Sequence, residues 1–270
     1  MICQIDYAFA SHAGKVRMGN EDNFWCMGEF LPEIHNGTNG VSIGRISDRE
    51  CGALAVFDGM GGEACGETAS YLAASAFDVF FHSREMKKRK SAAKYWIDAC
   101  EEMNRKVCAY ARENKIQSMG TTLAGICFTG SKAFICNLGD SRVYRIFRDK
   151  LTQISVDHVM PCYMFGKAPL TQYLGMDDES YRLEPSITEI AICDRERYLI
   201  CSDGVTDMLK DGEIRRILLE GSSPEKCVEE MLEQALECGG RDNITAIVCE
   251  IRKQKSIESW IEYWKQKRSK

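Results

Sequence analysis

The chain has 270 residues, of which 44% are hydrophobic and 28% charged, and its formal net charge at pH 7 is -5. This is the composition of an ordinary globular protein, long enough for one large domain or two small ones. The acidic balance excludes a general nucleic-acid binder, which needs a basic surface. The sequence contains neither a run of about 18 apolar residues nor the basic and apolar start of a signal peptide, so we expect a cytoplasmic protein with no membrane partner.

Fourteen cysteines occur in the sequence, mostly within apolar strings such as 134–138. A disulfide framework is typical of short secreted chains, and a zinc site needs cysteine and histidine at short spacing, which this sequence lacks. We therefore interpret the cysteines as small apolar core residues in a reducing compartment.

The first half of the chain predicts strands followed by two helices. Apolar runs indicate strands, whereas apolar residues spaced by three and four indicate helices. Asparagine–glycine pairs at 36–37 and 39–40 indicate that 31–51 is a loop with a hairpin turn. In chain order we predict strands at 3–10, 24–27 and 53–57, then helices at 64–81 and 91–114.

The second half returns to strands. The strand at 132–138 is apolar on both faces, so it belongs inside a layered structure, with a sheet on one side and helices on the other. The whole order predicts an α+β fold, a four-layer α-β-β-α sandwich with two central antiparallel sheets flanked by helices. The predicted strands are 121–128, 132–138, 143–147, 151–154, 187–192, 198–201 and 244–251, and the predicted helices are 214–219 and 224–236.

We expect one domain over 1–253 and a C-terminal helical extension over 254–270. The extension presents Ile257, Trp260, Ile261 and Trp264 at helical spacing. It either packs on the domain surface or docks a partner.

Acidic turns near the ends of predicted strands carry the most chemical information. Aspartates from distant segments can converge into a cage of oxygen ligands for a hard divalent cation. Any one of them alone is more often a turn residue, but several together favour a metal site, and oxygen ligands without clustered histidine or cysteine favour Mg²⁺ or Mn²⁺. The five turns are Asn20-Glu21-Asp22, Asp58-Gly59-Met60-Gly61-Gly62, Gly139-Asp140-Ser141-Arg142, Ser202-Asp203-Gly204 and Gly240-Arg241-Asp242-Asn243.

Arg17 lies four residues before Glu21. A guanidinium beside a cluster of carboxylates and metal ions suits phosphate binding, because its fork of donors matches phosphate oxygens. The alternative is a surface salt bridge between Arg17 and Glu21.

Taken in order, these motifs resemble those of the metal-dependent type 2C serine/threonine protein phosphatases, and of the bacterial branch in particular. The resemblance covers Ile5 to Ile251 and implies the α-β-β-α sandwich that the element pattern also predicts. The motifs that carry it are Arg17-x-x-Asn20-Glu21-Asp22, Phe57-Asp58-Gly59-Met60-Gly61-Gly62, Gly120-Thr121-Thr122, Gly139-Asp140-Ser141-Arg142, Asp157-His158, Ser202-Asp203-Gly204 and Gly240-x-Asp242-Asn243-Ile244-Thr245.

The resemblance implies two core metal ions, either Mg²⁺ or Mn²⁺. Asp58 would bridge both ions, and the carbonyl oxygen of Gly59 would bind one of them. Asp203 and Asp242 would be ligands of the other ion.

Four further roles follow from the resemblance. Glu21 would hold one metal ion, often through water, and Asp22 would support that site. Asp140, together with Asp203, would form a third and more weakly occupied metal site. Arg17 would bind the phosphate of the substrate.

The implied reaction is hydrolysis of phosphoserine or phosphothreonine by a water molecule that two bound metal ions activate. In this scheme Arg17, Asp58 and Asp203 are the catalytic residues. Met60 stands where eukaryotic members have a histidine, so the leaving group would be protonated by water at the metals. The segment 157–175 is short where bacterial relatives carry a longer flap, which affects substrate selection.

We therefore predict a phosphoprotein phosphatase that acts on phosphorylated serine or threonine proteins, opposes a cognate Ser/Thr kinase and works as a monomer. One alternative is a catalytically weak phosphatase fold that serves as a regulatory binding module. Another is a general phosphoesterase of small molecules. The complete ligand set at Asp58, Asp203 and Asp242 argues against the regulatory module.

Overall fold

A computed structural model describes residues 2–47, 51–60, 65–83, 92–161, 168–177 and 180–254. Seventeen helices and strands follow one another in these ranges. In chain order they are β1 (Ile2–His12), β2 (Asp22–Cys26), β3 (Ser42–Ile46), β4 (Gly52–Met60), α1 (Gly66–Ser83), α2 (Ala92–Asn114), β5 (Gly120–Thr121), β6 (Leu123–Thr129), β7 (Lys132–Leu138), β8 (Arg142–Phe147), β9 (Lys150–Gln153), β10 (Ser186–Ala191), β11 (Arg197–Cys201), α3 (Asp203–Thr206), α4 (Asp211–Glu220), α5 (Pro224–Glu237) and β12 (Ile244–Gln254).

The strands form two antiparallel sheets. The first has the order β3-β1-β12-β11-β8-β9, and the second has the order β10-β7-β6-β4-β2, with the short β5 paired to β4. The first and last strands, β1 and β12, are neighbours in the first sheet and pair over the whole length of β1.

Three apolar clusters separate four layers. Alternate residues of β1 show the principle: Ile5, Tyr7 and Phe9 lie in the cluster between the two sheets, whereas Ala8 and Ala10 face the cluster under α4 and α5. The third cluster packs α1 and α2 on the outer face of the second sheet. This arrangement confirms the predicted α-β-β-α sandwich.

The strand β7 is buried on both faces, as its sequence indicates. Ala133 and Ile135 lie between the sheets, whereas Phe134 and Cys136 face the helices. Trp96 of α2 is fully buried and donates its indole N–H to the Phe134 carbonyl oxygen at 3.2 Å, which anchors the helix to this strand.

Two strands differ from the prediction. The segment 31–51 contains β3, which pairs with β1 through residues 42–46. Its exposure alternates because it is an edge strand, and Gly44 lies so close to the Tyr7 ring that a Cβ there would be 2.2 Å from it. The strand β4 continues past Phe57 to Met60, because Gly59 and Met60 pair with β5.

None of the helices in the described part of the chain is long and apolar enough to cross a membrane. The closing strand β12 extends three residues beyond the predicted end at 251. Gln254, the first residue of the helical extension predicted over 254–270, is the last residue of β12, and 255–270 lie outside the described residues.

Candidate active site

The acidic turns meet at one end of the sandwich, where the two sheets come together. In the second sheet, Asp22 at the start of β2 is the antiparallel partner of Asp58 in β4. In the first sheet, the end of β11 and the start of β12 bring Asp203 and Asp242 to the same end, since Cys201 pairs with Ala246. The segment that carries Asp22 in the second sheet contacts the segment that carries Asp203 in the first sheet.

That contact is a buried hydrogen bond between the sheets. The hydroxyl of Ser202 donates to the carboxylate of Asp22 at 2.7 Å, and the backbone N–H of Thr245 donates to Ser202 Oγ at 3.0 Å. Asp22 and Ser202 are at most 1% exposed. Because a buried carboxylate needs hydrogen-bond donors, this pair fixes the second sheet against the β11–α3 junction of the first.

The carboxyl group of Asp22 has a pKa raised to about 7. Burial is the main cause, because it penalises the charged form, and the negative charges of Asp203 and Asp242 add to it. Hydrogen bonds with Ser202 and Thr245 act in the opposite direction. Burial and the neighbouring carboxylates therefore both favour the protonated form of Asp22.

This shift predicts how the cation-free protein responds to pH. Unfolded Asp22 loses its proton near pH 3.8, whereas the folded protein retains it up to about pH 7. Between these values the folded state binds more protons, so this residue lowers the free energy of unfolding by about 1.4 kcal/mol per pH unit as pH rises, and the effect levels off above the native pKa. Urea unfolding in EDTA at several pH values measures it.

The variant Asp22→Asn cannot titrate and is the control. Subtracting its unfolding free energy from that of the wild type isolates the Asp22 contribution, which should become less favourable to folding between about pH 4 and pH 7. A difference that does not change with pH would contradict the buried, protonated Asp22.

Asp58 is held by a pair of hydrogen bonds to Thr122. Its backbone N–H donates to Thr122 Oγ1 at 3.0 Å, and the Thr122 N–H donates to the Asp58 carbonyl oxygen at 2.9 Å. Thr122 Oγ1 also lies 2.6 Å from Ser141 Oγ. The turn that carries Asp140 is therefore linked to Asp58 through two hydroxyl groups.

A second set of bonds fixes the Asp140 turn from the other side. His158 accepts the Gly139 N–H on Nδ1 at 3.3 Å, and its own backbone N–H donates to the Gly139 carbonyl oxygen at 2.9 Å. Its Nε2 lies 2.8 Å from Ser186 Oγ. His158 thus positions the turn, and burial lowers the pKa of its imidazole.

Gly59 lies where only a glycine fits. Its N–H donates to the Glu21 carbonyl oxygen at 3.1 Å, and a Cβ at this position would be 2.1 Å from the carbonyl oxygen of Gly66. Gly66 is the first residue of α1, and a Cβ there would be 2.7 Å from the Glu21 carboxyl carbon. The two glycines let the start of α1 approach Glu21. The start of a helix favours a nearby carboxylate, because the N-terminus of a helix carries partial positive charge.

Glu21 is held from its backbone by Asn243. The Asn243 side chain accepts the Glu21 N–H at 2.8 Å and donates to the carbonyl oxygens of Ala13 and Gly19, each at 2.9 Å. Burial and the charge of Glu67 raise the pKa of the Glu21 carboxyl, while Arg17 opposes this. Asn243 therefore fixes the β1–β2 loop that carries both Glu21 and Arg17.

Asp203 begins α3, directly after the buried Ser202. The next residue, Gly204, packs so tightly on the β12 entry that a Cβ would lie 1.9 Å from the carbonyl oxygen of Asn243. A larger residue at 204 would push α3 away from Asp242. The contact explains why glycine follows this aspartate.

Arg17 forms an ion pair with Asp242 rather than with Glu21, at 2.9 Å. The hydrogen bond with Asp242 is the main cause of its raised pKa, and the charges of Glu21 and Asp58 contribute. Half of the Arg17 side chain is exposed, so its guanidinium can be reached from solvent at the rim of the acidic site.

The donor set fits a hard divalent cation in its chemistry, since the carboxylates and the Gly59 carbonyl all offer oxygen. The negative charges of Asp203 and Asp242, which contribute to the raised pKa of Asp22 after burial, are charges that such a cation would offset. Over the described ranges, no group of three or more Asp, Glu, His or Cys side chains is arranged to hold a metal ion. Arg17 pairs with one of the candidate ligands, Asp242.

Several positioning residues are not among the candidates taken from the sequence. Ser202 and Asn243 lie inside the motifs, but their sequence context shows only a strand end and a turn. Thr122 and Ser141 appear in the sequence only as members of the motifs at 120–122 and 139–142. A hydroxyl or amide at or near the end of an apolar run is the available signal, because a buried polar side chain must find a partner.

A family model described as Protein phosphatase 2C matches residues 44–248 of the chain. The serine/threonine protein phosphatase PstP of Mycobacterium tuberculosis is 28% identical over 256 residues, a match that spans 91% of this chain but only 45% of that protein. The serine/threonine phosphatase stp of Listeria innocua is 26% identical over 258 residues, covering 90% of this chain and 94% of that protein.

Solved structures agree with these matches. A crystal structure of mycobacterial PstP superposes with a TM-score of 0.72 at 27% identity and covers 93% of this chain and all of that one. The catalytic domain of PstP in complex with two manganese ions superposes with a TM-score of 0.72 at 26% identity, covering 93% of this chain and 100% of that chain.

Proposed function

This chain belongs to the protein phosphatase 2C family, and from that premise we propose that it is a metal-dependent phosphatase that hydrolyses phosphoserine and phosphothreonine in proteins. The observation that carries the proposal is the meeting of distant acidic turns around the buried Asp22–Ser202 bond, with Arg17 at the rim. Its relatives are named serine/threonine phosphatases, which supports the substrate class.

The acidic site has residues suited to two Mg²⁺ or Mn²⁺ ions. Bound divalent cations would lower the pKa of water and neutralise charge on phosphoryl oxygens. The manganese ions in the PstP structure support this choice of metal. The residues that would hold the two core ions are Glu21, Asp22, Asp58, Gly59, Asp203 and Asp242, and Asp140 with Asp203 would hold a weaker third ion.

The protein's own groups have separate tasks in this reaction. Arg17 would exchange its ion pair with Asp242 for the phosphate, whose oxygens match the guanidinium fork. The Ser202 hydroxyl holds the carboxylate of Asp22 in place, and the Thr122 hydroxyl accepts the backbone N–H of Asp58, so both segments are preorganised. The thioether of Met60 carries no proton, so this side chain does not act as a general acid.

We further propose a cellular role opposing a Ser/Thr kinase, with the protein acting in the cytoplasm as a monomer and with its catalytic domain over 1–253. The family function supports the role, since removal of a phosphate reverses its transfer by a kinase. The substrate proteins themselves are to be found by experiment.

The test is phosphate release from a phosphothreonine peptide in Mn²⁺, in Mg²⁺ and in EDTA. We expect release with either cation and loss of release in EDTA. A sugar phosphate, assayed in parallel, should be turned over far more slowly. Faster turnover of the sugar phosphate would favour a general phosphoesterase, and no release from folded protein with any cation would favour a regulatory binding module.

A further inference from the structure

An open cleft of about 360 Å³ lies directly beside Arg17 and Glu21. Its walls come from four separate segments: the β1–β2 loop, the β2–β3 connection, the start of α1 and the turn before β12. Met18 and Ile34 supply apolar surface, and Glu33 and Glu67 supply carboxylates. The cleft therefore adjoins the place where the phosphate would bind.

The two apolar walls are unusually open to water. Met18 is 99% exposed and Ile34 is 87% exposed. Exposed apolar side chains that border a cleft next to a proposed active site are well placed to contact a ligand. Met18 and Ile34 alone would suit any apolar side chain of a ligand.

The carboxylates of Glu33 and Glu67 restrict the kind of side chain that would suit the cleft. Glu33 Oε1 accepts a hydrogen bond from Thr68 Oγ1 at 2.6 Å, and Thr68 is only 7% exposed, so the carboxylate is held from below by a buried hydroxyl. Glu67, in the first turn of α1, lines the same cleft. Arg17 also lines it but pairs with Asp242, and within the described ranges no lysine or arginine forms an ion pair with Glu33 or Glu67.

We propose that this cleft is a specificity subsite for a lysine or arginine side chain that flanks the phosphorylated residue of a protein substrate. The aliphatic stem of such a side chain would lie on Met18 and Ile34, and its cationic head would meet Glu33 and Glu67. An acidic side chain would be repelled, and a purely apolar one would leave the carboxylates without a partner. This inference rests on the proposed phosphatase function and names its substrate class.

The experiment is a positional scan of phosphothreonine peptides with arginine, norleucine or glutamate at each flanking position. At one position, the wild type should prefer arginine over norleucine and disfavour glutamate. The preference for arginine should fall in Glu33→Gln by about twofold to fivefold in kcat/KM, the range for a partly exposed charge pair. Added salt should weaken the preference, because it screens exposed charges.

Three comparisons separate a subsite from a general defect. The ratio of peptide turnover to turnover of p-nitrophenyl phosphate should fall in Glu33→Gln, because the small substrate has no flanking cationic side chain. Thr68→Val, which removes the hydroxyl that positions Glu33, should raise KM for the arginine peptide more than it lowers kcat. The exposed Glu113 on α2 lies away from the cleft, and Glu113→Gln should behave as wild type.

Peptide binding by fluorescence anisotropy gives a readout that does not need turnover. A preference for arginine in binding without phosphate release would support the subsite and overturn the hydrolytic function. Phosphate release without any preference at any position, or an equal loss for peptide and p-nitrophenyl phosphate in Glu33→Gln, would overturn the subsite.

Discussion

Replacing Asp203 with asparagine is expected to reduce kcat for a phosphothreonine peptide by about a thousandfold, the cost of losing one preorganised charged group from such a site. Asp203 is 6% exposed at the start of α3, next to the Ser202–Asp22 hydrogen bond. Asparagine keeps its size and removes its charge, so the fold should be retained while cation binding weakens. Phosphate release, Mn²⁺ binding by calorimetry and thermal unfolding measure the three effects.

Asp149→Asn is the matched control. Asp149 is exposed in the β8–β9 turn with φ of 61°, a conformation that asparagine also tolerates. This variant should retain wild-type turnover and cation affinity. If Asp203→Asn kept substantial activity, or lost activity only because it unfolded, the assignment of Asp203 to cation binding would be wrong.

The second large effect is expected for Gly204→Ala. The added methyl group would lie 1.9 Å from the Asn243 carbonyl oxygen and 2.9 Å from its carbon, and both atoms belong to the backbone. Relief requires α3 to move away from the turn before β12, which separates Asp203 from Asp242. We expect the free energy of unfolding to fall by about 3 kcal/mol, together with a loss of turnover.

The same substitution at Gly212 tests whether the clash is the cause. Gly212 is the second residue of α4, and a Cβ there meets no atom within 4 Å. Gly212→Ala should leave turnover unchanged and leave the free energy of unfolding unchanged or raised by up to about 1 kcal/mol, since alanine favours the helix. Equal stability of the two variants in urea unfolding would contradict the packing at Gly204.

Much of the fold could be predicted because its signals are local. Strand β7 begins and ends at the residues that its apolar run predicts, and the two long helices begin within two residues of their expected starts. The spacing of apolar residues in such runs reflects which side chains of a strand or helix are buried, and this spacing involves only residues near one another in the chain. The segment that forms β3 lacked that signal, since an edge strand with one exposed face and a glycine resembles a loop.

The candidate site could be predicted only in part. The order of the Asp-Gly and Asp-Asn turns, and with it the family, follows from the sequence alone. The partner of Arg17 does not follow from the sequence, because the pattern offers only the nearby Glu21 as an alternative to phosphate binding, whereas the ion pair joins Arg17 to Asp242, 225 residues away. Proximity in the chain is a poor guide to side chains brought together by the meeting of two sheets.

The sequence by itself determined the family and the sandwich of two sheets and two helix layers, and it supplied the candidate oxygen ligands, since each depends on residue type and on local order. Only the tertiary structure decided which groups support those candidate residues. The bond from Ser202 to Asp22 spans 180 positions, and the raised pKa of Asp22 arises from burial that no segment shows alone. The cleft beside Arg17 likewise exists only where four distant segments meet. These features depend on distances between side chains, and those distances are set by the packing of the whole chain.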